Sequence, residues 1–347
     1  MNCRVENTVN WLTEFYMQLF NIGRDSMQFE DNTSKKSLVI LVGPTAVGKT
    51  AASIGLAKAL NGEIISGDSM QIFRGLDIGT AKITKEEMDG VPHHLIDIKE
   101  PYDSFSAAEF KRLADAAIAD IHSRGKLPMI VGGTGFYVNS VLYEYHFGEA
   151  DTDPAYREEL QQFLDANGNE ALWQLLQQKD PTSAERLHSN DTKRVMRALE
   201  VLYVTGKPAS ERQNAVDKQV MRYDAVYLAL SLPRDVLYDR INHRVDIMME
   251  QGLEQEVRDA LAQGVPQDAL SMTSLGYRQM IQYFNGEISL ERAVELIKRD
   301  TRHFAKRQLT WFRHDPNIQW VEKQGKSEEQ IQQELLHLVQ QKLQIRE

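Results

Sequence analysis

The chain has 347 residues, of which 42% are hydrophobic and 26% are charged, a composition that supports a folded core and excludes wholesale disorder. This length predicts about two domains. The formal net charge of −10 means that any nucleic-acid partner would have to be held by a local basic surface, because the bulk charge repels it.

The start of the chain has no basic region followed by an apolar block, and no apolar run approaches the roughly 18 residues of a membrane span. We therefore expect no membrane partner. The single cysteine, Cys3, excludes a disulfide scaffold and a thiolate zinc site and fits a reducing compartment, so the expected location is the cytoplasm. Residues 1–36 form an extension, either dispensable or a docking arm, unless translation begins at Met27. A short helix in it is predicted by the spacing of five residues: Trp11, Leu12, Phe15, Tyr16 and Leu19.

Strands and helices alternate from residue 37 onward. Residues 38–42, 63–66 and 127–131 have the apolar, β-branched character of buried parallel strands. Helices are predicted over residues 51–60 and from a capping box at Ser106 and Glu109. This order predicts an α/β fold of the P-loop NTPase type, a parallel sheet flanked by helices with ligands at the carboxyl ends of the strands.

The pattern changes near residue 151. Residues 151–222 predict successive helices and no strand, so they form an all-helical insertion domain. A strand returns at 227–232, the chain is then helical to Arg313, and a last helix begins with a capping box at Ser327 and Gln330. The predicted units are therefore 1–36, the core in two parts (37–150 and 223–323), the insertion at 151–222, and a C-terminal helix at 324–347.

A complete phosphate-binding motif follows the first strand. It consists of Gly43, Pro44, Thr45, Ala46, Val47, Gly48, Lys49 and Thr50. In this context backbone N–H groups curl around a phosphate chain at the start of a helix, while the lysine adds a positive charge and the threonine hydroxyl a ligand for Mg²⁺. The motif leaves open which phosphate compound is bound.

Two features at the same predicted edge of the sheet narrow the chemistry. The strand at 129–131 ends in the glycine-rich run 132–135, where nucleotide-hydrolysing enzymes usually carry an acid, although Asp97 follows another short apolar run. Asp68 follows the second strand, beside the phosphate loop. It is either a functional carboxylate or a helix N-cap, and its place beside the loop favours function.

Residues 298–313 hold six basic residues and one acid, a local charge of +5, and could be a track for an RNA backbone or a solvated helix face. Helical spacing predicts that Arg299, Arg302, Lys306 and Arg313 share a face, with Trp311 and Phe312 packed inward. A weaker basic cluster comprises Lys193, Arg194 and Arg197. Arg240 and Arg244 lie one turn apart and either reach a phosphate or are ordinary exposed charges. The histidines lack the spacing of metal ligands.

Together, these motifs resemble the tRNA dimethylallyltransferase family, also called tRNA isopentenyltransferases. The resemblance runs in order from about residue 38 to residue 320 and rests on GPTAVGKT (43–50), DSMQIFRG (68–75), PHHLID (92–97), GGTGFY (132–137), LPRDVLYDRINHRV (232–245), SLGYRQM (274–280) and TRHFAKRQLTWFR (301–313). Departures are small: Phe136 stands where Leu is common, and Ile72-Phe73 where Val-Tyr is common. The lone Cys3 rules out the zinc finger of eukaryotic members, so the chain resembles the bacterial type.

The resemblance implies transfer of a dimethylallyl group from dimethylallyl diphosphate to N6 of the adenosine 3′ of the anticodon, tRNA position 37. It implies that the phosphate loop binds the diphosphate with Arg244 as a clamp, that Thr50 holds Mg²⁺, and that Thr45 meets the bridging oxygen. It also implies that Asp68 is the general base and that Thr134 lies near the adenine. The implied tRNA contacts are Asp68, Ser69, Met70, Gln71, Arg157, Lys193, Arg194, Val195, Met196, Arg197, Thr273, Ser274, Leu275, Gly276, Tyr277, Arg278, Lys306, Arg307, Gln308, Leu309, Thr310, Trp311, Phe312 and Arg313.

Two other functions use the same motifs. A small-molecule kinase would bind ATP in the loop and turn it over, and a non-catalytic RNA-binding protein would bind tRNA and leave it unmodified. The tRNA alkyltransferase is the leading hypothesis, acting as a monomer by default.

Overall fold

A computed structural model describes residues 35–145, 153–212 and 220–344, so the helix predicted near residues 11–19 lies outside the described residues. The described strands are β1 (Ser37–Val42), β2 (Gly62–Ser66), β3 (His93–His94), β4 (Leu127–Gly132), β5 (Asp224–Ser231) and β6 (Gln319–Glu322). They form one sheet in the order β3-β2-β4-β1-β5-β6, and every neighbouring pair is parallel. The predicted parallel sheet and its four predicted strands are confirmed.

Strand β6 was not predicted from the sequence. Only Val321 of its four residues is buried, so the strand lacks an apolar run that local pattern could detect. It forms because Leu228 to Ser231 of β5 pair with it in register. The short strand β3 likewise forms by pairing with a neighbouring strand, β2.

Helices flank the sheet on both faces. The helices of the core are α1 (Lys49–Ala59), α2 (Lys85–Met88), α3 (Ala107–Ser123), α4 (Gly135–Leu142), α9 (Arg234–Gln251), α10 (Leu253–Ala262), α11 (Tyr277–Phe284), α12 (Leu290–Arg313) and α13 (Glu328–Leu343). Those of the insertion are α5 (Pro154–Lys179), α6 (Pro181–Ala184), α7 (Thr192–Thr205) and α8 (Ala209–Arg212). No helix among the described residues is long and apolar enough to span a membrane.

Both predicted capping sites begin helices. Ser327 and Gln330 make the reciprocal pair of a capping box at the start of α13, as predicted. At α3, Ser106 accepts the N–H of Glu109, but the Glu109 carboxylate lies 2.9 Å from Lys99. The second half of that predicted box is thus replaced by an ion pair.

Side chains of β1 alternate between two cores, as expected for a strand buried on both faces. Leu38 and Ile40 pack with residues of α3, α4 and α12, whereas Val39 and Leu41 pack with α1 and α13. The insertion has a third, separate core, formed by Leu160, Leu172, Leu176, Ala184, Val195, Ala198 and Leu199. The described part of the insertion is helical, as predicted, and the exact domain boundaries stay predictions.

Glu63 of β2 anchors an ion network at the amino end of the sheet. Its side chain is buried, and it accepts hydrogen bonds from Arg124, from Lys126 (2.8 Å) and from His94 (2.8 Å). The bonds from Arg124 contribute most to holding the pKa of Glu63 well below its ordinary value, against the opposing effect of burial. The carboxylate is therefore charged in the folded protein and fully partnered.

Replacing Glu63 with Gln should lower the free energy of unfolding by about 1–3 kcal/mol at pH 7, because the buried side chain loses the charge to which its basic partners donate. The depressed pKa stabilises the folded state above the pKa of an unfolded glutamate, and this contribution disappears as the pH falls. The difference between wild type and variant should therefore shrink below about pH 4. Urea unfolding followed by circular dichroism measures both effects.

Asp120 provides the matched control, because it also pairs with Arg124 but is 59% exposed. Asp120→Asn should cost no more than about 1 kcal/mol. An equal loss in the two variants would contradict the assignment of the stabilisation to Glu63.

Candidate active site

The phosphate loop turns sharply between β1 and α1. Gly43 has φ +145°, and a Cβ on it would lie 2.7 Å from the carbonyl oxygen of Leu230. Gly48 has φ +97° and immediately precedes α1, so its left-handed conformation favours glycine. Lys49 folds back over the loop, and its Nζ donates to the carbonyls of Gly43 (3.0 Å) and Pro44 (2.9 Å). This geometry is that of an anion-binding loop at a helix start.

Lys49 and Asp68 perturb each other across the site. Burial lowers the pKa of Lys49 to about 8, opposed by the charge of Asp68 and reinforced by that of Arg244. Burial likewise raises the pKa of Asp68, against a hydrogen bond from the Met70 N–H (2.8 Å) and the charge of Lys49. A carboxylate with a raised pKa is a stronger base than a free aspartate.

Asp68 does not cap a helix: its Oδ1 accepts a local N–H inside a turn, and no helix follows directly. The alternative interpretation of this residue as an N-cap was therefore wrong. The carboxylate stands at the carboxyl end of β2, beside the phosphate loop, as the sequence predicted.

Thr134 is locked next to Asp68 by the ends of two strands. A Cβ on Gly132 would lie 2.3 Å from the backbone of Gly67, so the close approach of β4 and β2 requires a glycine there. The Thr134 N–H donates to the Gly67 carbonyl (3.1 Å), and its Oγ1 accepts the Ser69 N–H (3.1 Å). Gly132 of the 132–135 run therefore permits the close approach of the β2 and β4 backbones.

Four cations surround the loop. The second of them, after Lys49, is Arg244 of α9, which is mostly buried. Burial is the main cause that lowers the pKa of Arg244, and the charge of Arg240 adds to it. A Cβ on Gly48 would lie 3.7 Å from Arg240 and 2.8 Å from Nζ of Lys323. Lys323 is itself paired with Glu328 at 2.9 Å. Sequence reasoning missed Lys323, which belongs to no motif, and left Arg240 undecided.

The loop over residues 77–79 is anchored by Glu256 of α10. The carboxylate accepts the N–H groups of Asp77, Ile78 and Gly79 at 2.7, 2.7 and 3.0 Å, and the hydroxyl of Tyr277 at 2.6 Å. The loop that follows Asp68 is thus tied to α10 and α11. Tyr277 is fully buried in this role and offers no surface to an RNA.

Gln308 of α12 also points inward. It is 6% exposed, and its side-chain amide joins the Thr45 N–H to the Gly133 carbonyl, each at 2.9 Å. Trp311 was predicted to pack inward but is 39% exposed, whereas Phe312 is buried as predicted. In the C-terminal half of α12 the buried residues are Ala305, Gln308 and Phe312, and this stripe leaves Trp311 at the surface.

A cleft of about 710 Å³ lies between α12 and the insertion. Its lining is basic and aromatic and comprises Arg194, His303, Lys306, Arg307, Thr310, Trp311 and His314. The two basic clusters of the sequence therefore meet at one surface. Trp311 also contacts Phe136, a second exposed aromatic ring, at a centroid distance of 6.5 Å.

Two of the basic side chains predicted to share a face of α12 are engaged within the protein. Arg299 pairs with Asp300 on the helix itself, and Arg302 donates to Asn242 of α9 at 2.5 Å. Within the insertion, Arg157 and Arg197 both pair with the buried Glu200. These contacts compete with any phosphate contact, so Lys306 and Arg307 are the stronger candidates.

The other predicted tRNA contacts divide by exposure. Val195, Gly276, Tyr277, Gln308 and Phe312 are buried, so these side chains pack inside the protein. Those that keep an exposed or partly exposed surface are Ser69, Met70, Gln71, Lys193, Met196, Thr273, Ser274, Leu275, Arg278, Leu309, Thr310 and Arg313. Among the described residues, no group of three or more His, Cys, Asp or Glu side chains could hold a metal ion.

The chain is similar to proteins of known family. Residues 71–315 match the model of the IPP transferase family. The tRNA dimethylallyltransferase of Halalkalibacterium halodurans is 51% identical over 288 residues, which cover 83% of this chain and 91% of that protein.

Two solved structures share the fold. A full-length tRNA isopentenylpyrophosphate transferase from Bacillus halodurans is 48% identical, with a TM-score of 0.68 over 89% of this chain and 97% of that one. A eukaryotic dimethylallyltransferase acting on tRNA is 30% identical, with a TM-score of 0.71 over 83% of this chain and 74% of that one. The resemblance drawn from the motifs is confirmed, and this chain belongs to the IPP transferase family.

Proposed function

We propose that this chain transfers a dimethylallyl group from dimethylallyl diphosphate to N6 of the adenosine 3′ of the anticodon, tRNA position 37. The observation that carries the proposal is the placement of the Asp68 carboxylate just beyond the carboxyl end of β2, beside Lys49 of the phosphate loop, where burial raises the pKa of Asp68. A base beside an anion cradle suits a reaction in which the acceptor loses a proton while diphosphate departs. Relatives named tRNA dimethylallyltransferase and a neighbour acting on tRNA support the choice of substrate.

In the reaction, the N6–C bond forms as the allylic C–O bond breaks, giving N6-dimethylallyladenosine and diphosphate. The N6 lone pair is delocalised into the adenine ring, so N6 becomes an effective nucleophile only as it loses a proton. Asp68 accepts that proton, which is worth about 10²–10⁴ in rate. Thr134, held by Ser69 and Gly67, lies where it can orient the adenine.

The leaving diphosphate gathers negative charge as its bond to carbon breaks. The loop N–H groups and the cations Lys49 and Arg244 are already assembled there, so they stabilise this charge without reorganising. Arg240 is close enough to the loop to contribute. Thr45 is the loop residue proposed to meet the bridging oxygen.

Magnesium is the proposed cofactor. Thr50 is the second residue of α1, directly after Lys49, and its exposed side chain gives the hydroxyl access to a bound diphosphate. A single hydroxyl fits Mg²⁺, which keeps several waters and takes its remaining oxygens from substrate phosphates. When bound, the ion would neutralise charge on the diphosphate oxygens.

The cleft beside α12 is the proposed site for the anticodon stem-loop. Lys306 and Arg307 line it and can contact phosphates, and Trp311 offers an exposed ring for a base. An adenine stacked in the anticodon loop must swing out to reach Asp68, and the lost stacking costs roughly a few kcal/mol. Holding the RNA through that step is the proposed role of the insertion and α12. The oligomeric state is proposed to be monomeric.

The kinase alternative is less favoured by the site. β4, the strand next to β1, ends in Gly132 and Gly133 and not in an acid that would hold the metal shell of a nucleotide.

One incubation tests the proposal, using labelled dimethylallyl diphosphate, unmodified tRNA and Mg²⁺. We expect dimethylallyl diphosphate to be consumed only when tRNA is present, with the label appearing at position 37. The reaction should not depend on ATP, and chelation of Mg²⁺ with EDTA should abolish the product. ATP turnover without prenyl transfer would support the kinase, and tRNA binding without product would leave a binding protein.

Asp68→Ala should lower kcat by about 10²–10⁴ while the Kd for tRNA changes little, because the carboxylate acts on the proton and not on the RNA backbone. Since Asp68 works only when deprotonated, the wild-type rate should fall as the pH drops through its raised pKa, and Asp68→Asn should lack that limb of the pH–rate profile. Single-turnover kinetics across the acid range measures both. A near-normal rate in Asp68→Ala would remove this residue from the base role.

Lys306→Ala should weaken tRNA binding and reduce the slope of log K against log salt by about one, because one phosphate contact is lost. Lys326→Ala is the matched control, since that lysine pairs with Glu334 at the C-terminal helix. Filter binding over a salt series measures the slopes. An unchanged slope for Lys306→Ala, or an equal change in both, would place the RNA elsewhere.

A further inference from the structure

The side-chain amide of Gln308 lies between two loops of the site. Its Oε1 accepts the N–H of Thr45 in the phosphate loop, and its Nε2 donates to the carbonyl of Gly133, both at 2.9 Å. A Cβ on Gly133 would lie 2.2 Å from that Nε2, so the glycine makes room for the amide. One side chain thus ties the loop after β1 to the loop after β4.

These bonds are buried, since Gln308 is 6% exposed. Without the amide, the Thr45 N–H and the Gly133 carbonyl would each lose a partner away from bulk water, which is unfavourable unless the loops move. Thr45 is therefore held in place from behind by a residue of α12, and its position follows that of the helix.

The adjoining face of the same helical turn lines the RNA cleft. Arg307 precedes Gln308 and Trp311 follows it by three residues, and both side chains line the cleft. The Trp311 ring also packs on the second loop, because a Cβ on Gly135 would lie 2.3 Å from it. Any ligand that fixes this turn of α12 also fixes both loops.

We infer that Gln308 is a positioning residue that couples RNA binding in the cleft to the geometry of the phosphate loop. RNA held by Arg307 and Trp311 restrains α12, α12 restrains Gln308, and Gln308 holds the Thr45 segment in the form that grips the diphosphate. This inference rests on the proposed function, and it assigns Gln308 an indirect role in place of direct tRNA contact. By linkage, RNA must tighten donor binding by the same factor by which the donor tightens RNA binding.

Gln308→Met tests the coupling, because methionine fills a similar volume without the hydrogen bonds. The probes are an anticodon stem-loop RNA with adenosine at position 37 and an unreactive thiolodiphosphate analogue of the donor. In the wild type, RNA should tighten the analogue Kd by about tenfold, and in Gln308→Met this ratio should fall to within about twofold of one. The Kd for RNA alone should stay within about threefold of wild type, since the cleft side chains are intact.

Gln308→Glu separates the two bonds. It keeps an acceptor for Thr45 but sets a carboxylate oxygen against the Gly133 carbonyl, so we expect an intermediate ratio. It also decides the question if the methionine variant folds poorly. Arg292→Gln, an exposed substitution near the start of α12, should retain the wild-type ratio.

A wild-type ratio near one, or a wild-type ratio retained in Gln308→Met, would overturn the inference. Absence of prenyl transfer by the wild-type protein would instead overturn the proposed function. The binding ratios are measured without catalysis, so the two failures are distinguishable.

Discussion

The parallel register of three strands decides where the candidate active site lies. Val42 of β1 is paired with Gly132 of β4, and Ser66 of β2 is paired with Val131, so the three strands end at one level. The phosphate loop, the Asp68 turn and the Thr134 turn therefore begin side by side. A glycine at 132 is needed because the backbones of β2 and β4 approach more closely than a Cβ allows.

Burial at this edge acts in opposite directions on the two central charges. It lowers the pKa of Lys49 to about 8 and raises that of Asp68, so each group is moved toward neutral pH. Their mutual attraction limits both shifts. Lys49 and Arg244 repel each other, and the negative charge of a bound diphosphate would offset this repulsion. In the proposed reaction, the same charge distribution would favour both binding of the donor and stabilisation of the leaving group.

Helix α12 links the two halves of the proposed reaction. Its basic and aromatic side faces the cleft, while its buried stripe reaches the phosphate loop through Gln308. A helix that touches both substrates is a direct physical route for coupling their binding, and it needs no large movement. The ion network of Glu63 lies at the other end of the sheet, where it contributes to stability away from the chemistry.

The sequence alone determined the features that depend on residues adjacent in the chain. The strand at 38–42, the phosphate loop, the aspartate after β2 and the family membership follow from local pattern and from motif spacing, and all are present in the structure or its relatives. Local pattern could not decide which side of α12 faces inward: Gln308 is buried and Trp311 exposed because of what packs against the helix. Local pattern likewise could not predict the roles of Lys323 and Glu256 or the strand β6. Their partners are distant in the chain and are brought to them only by the tertiary structure.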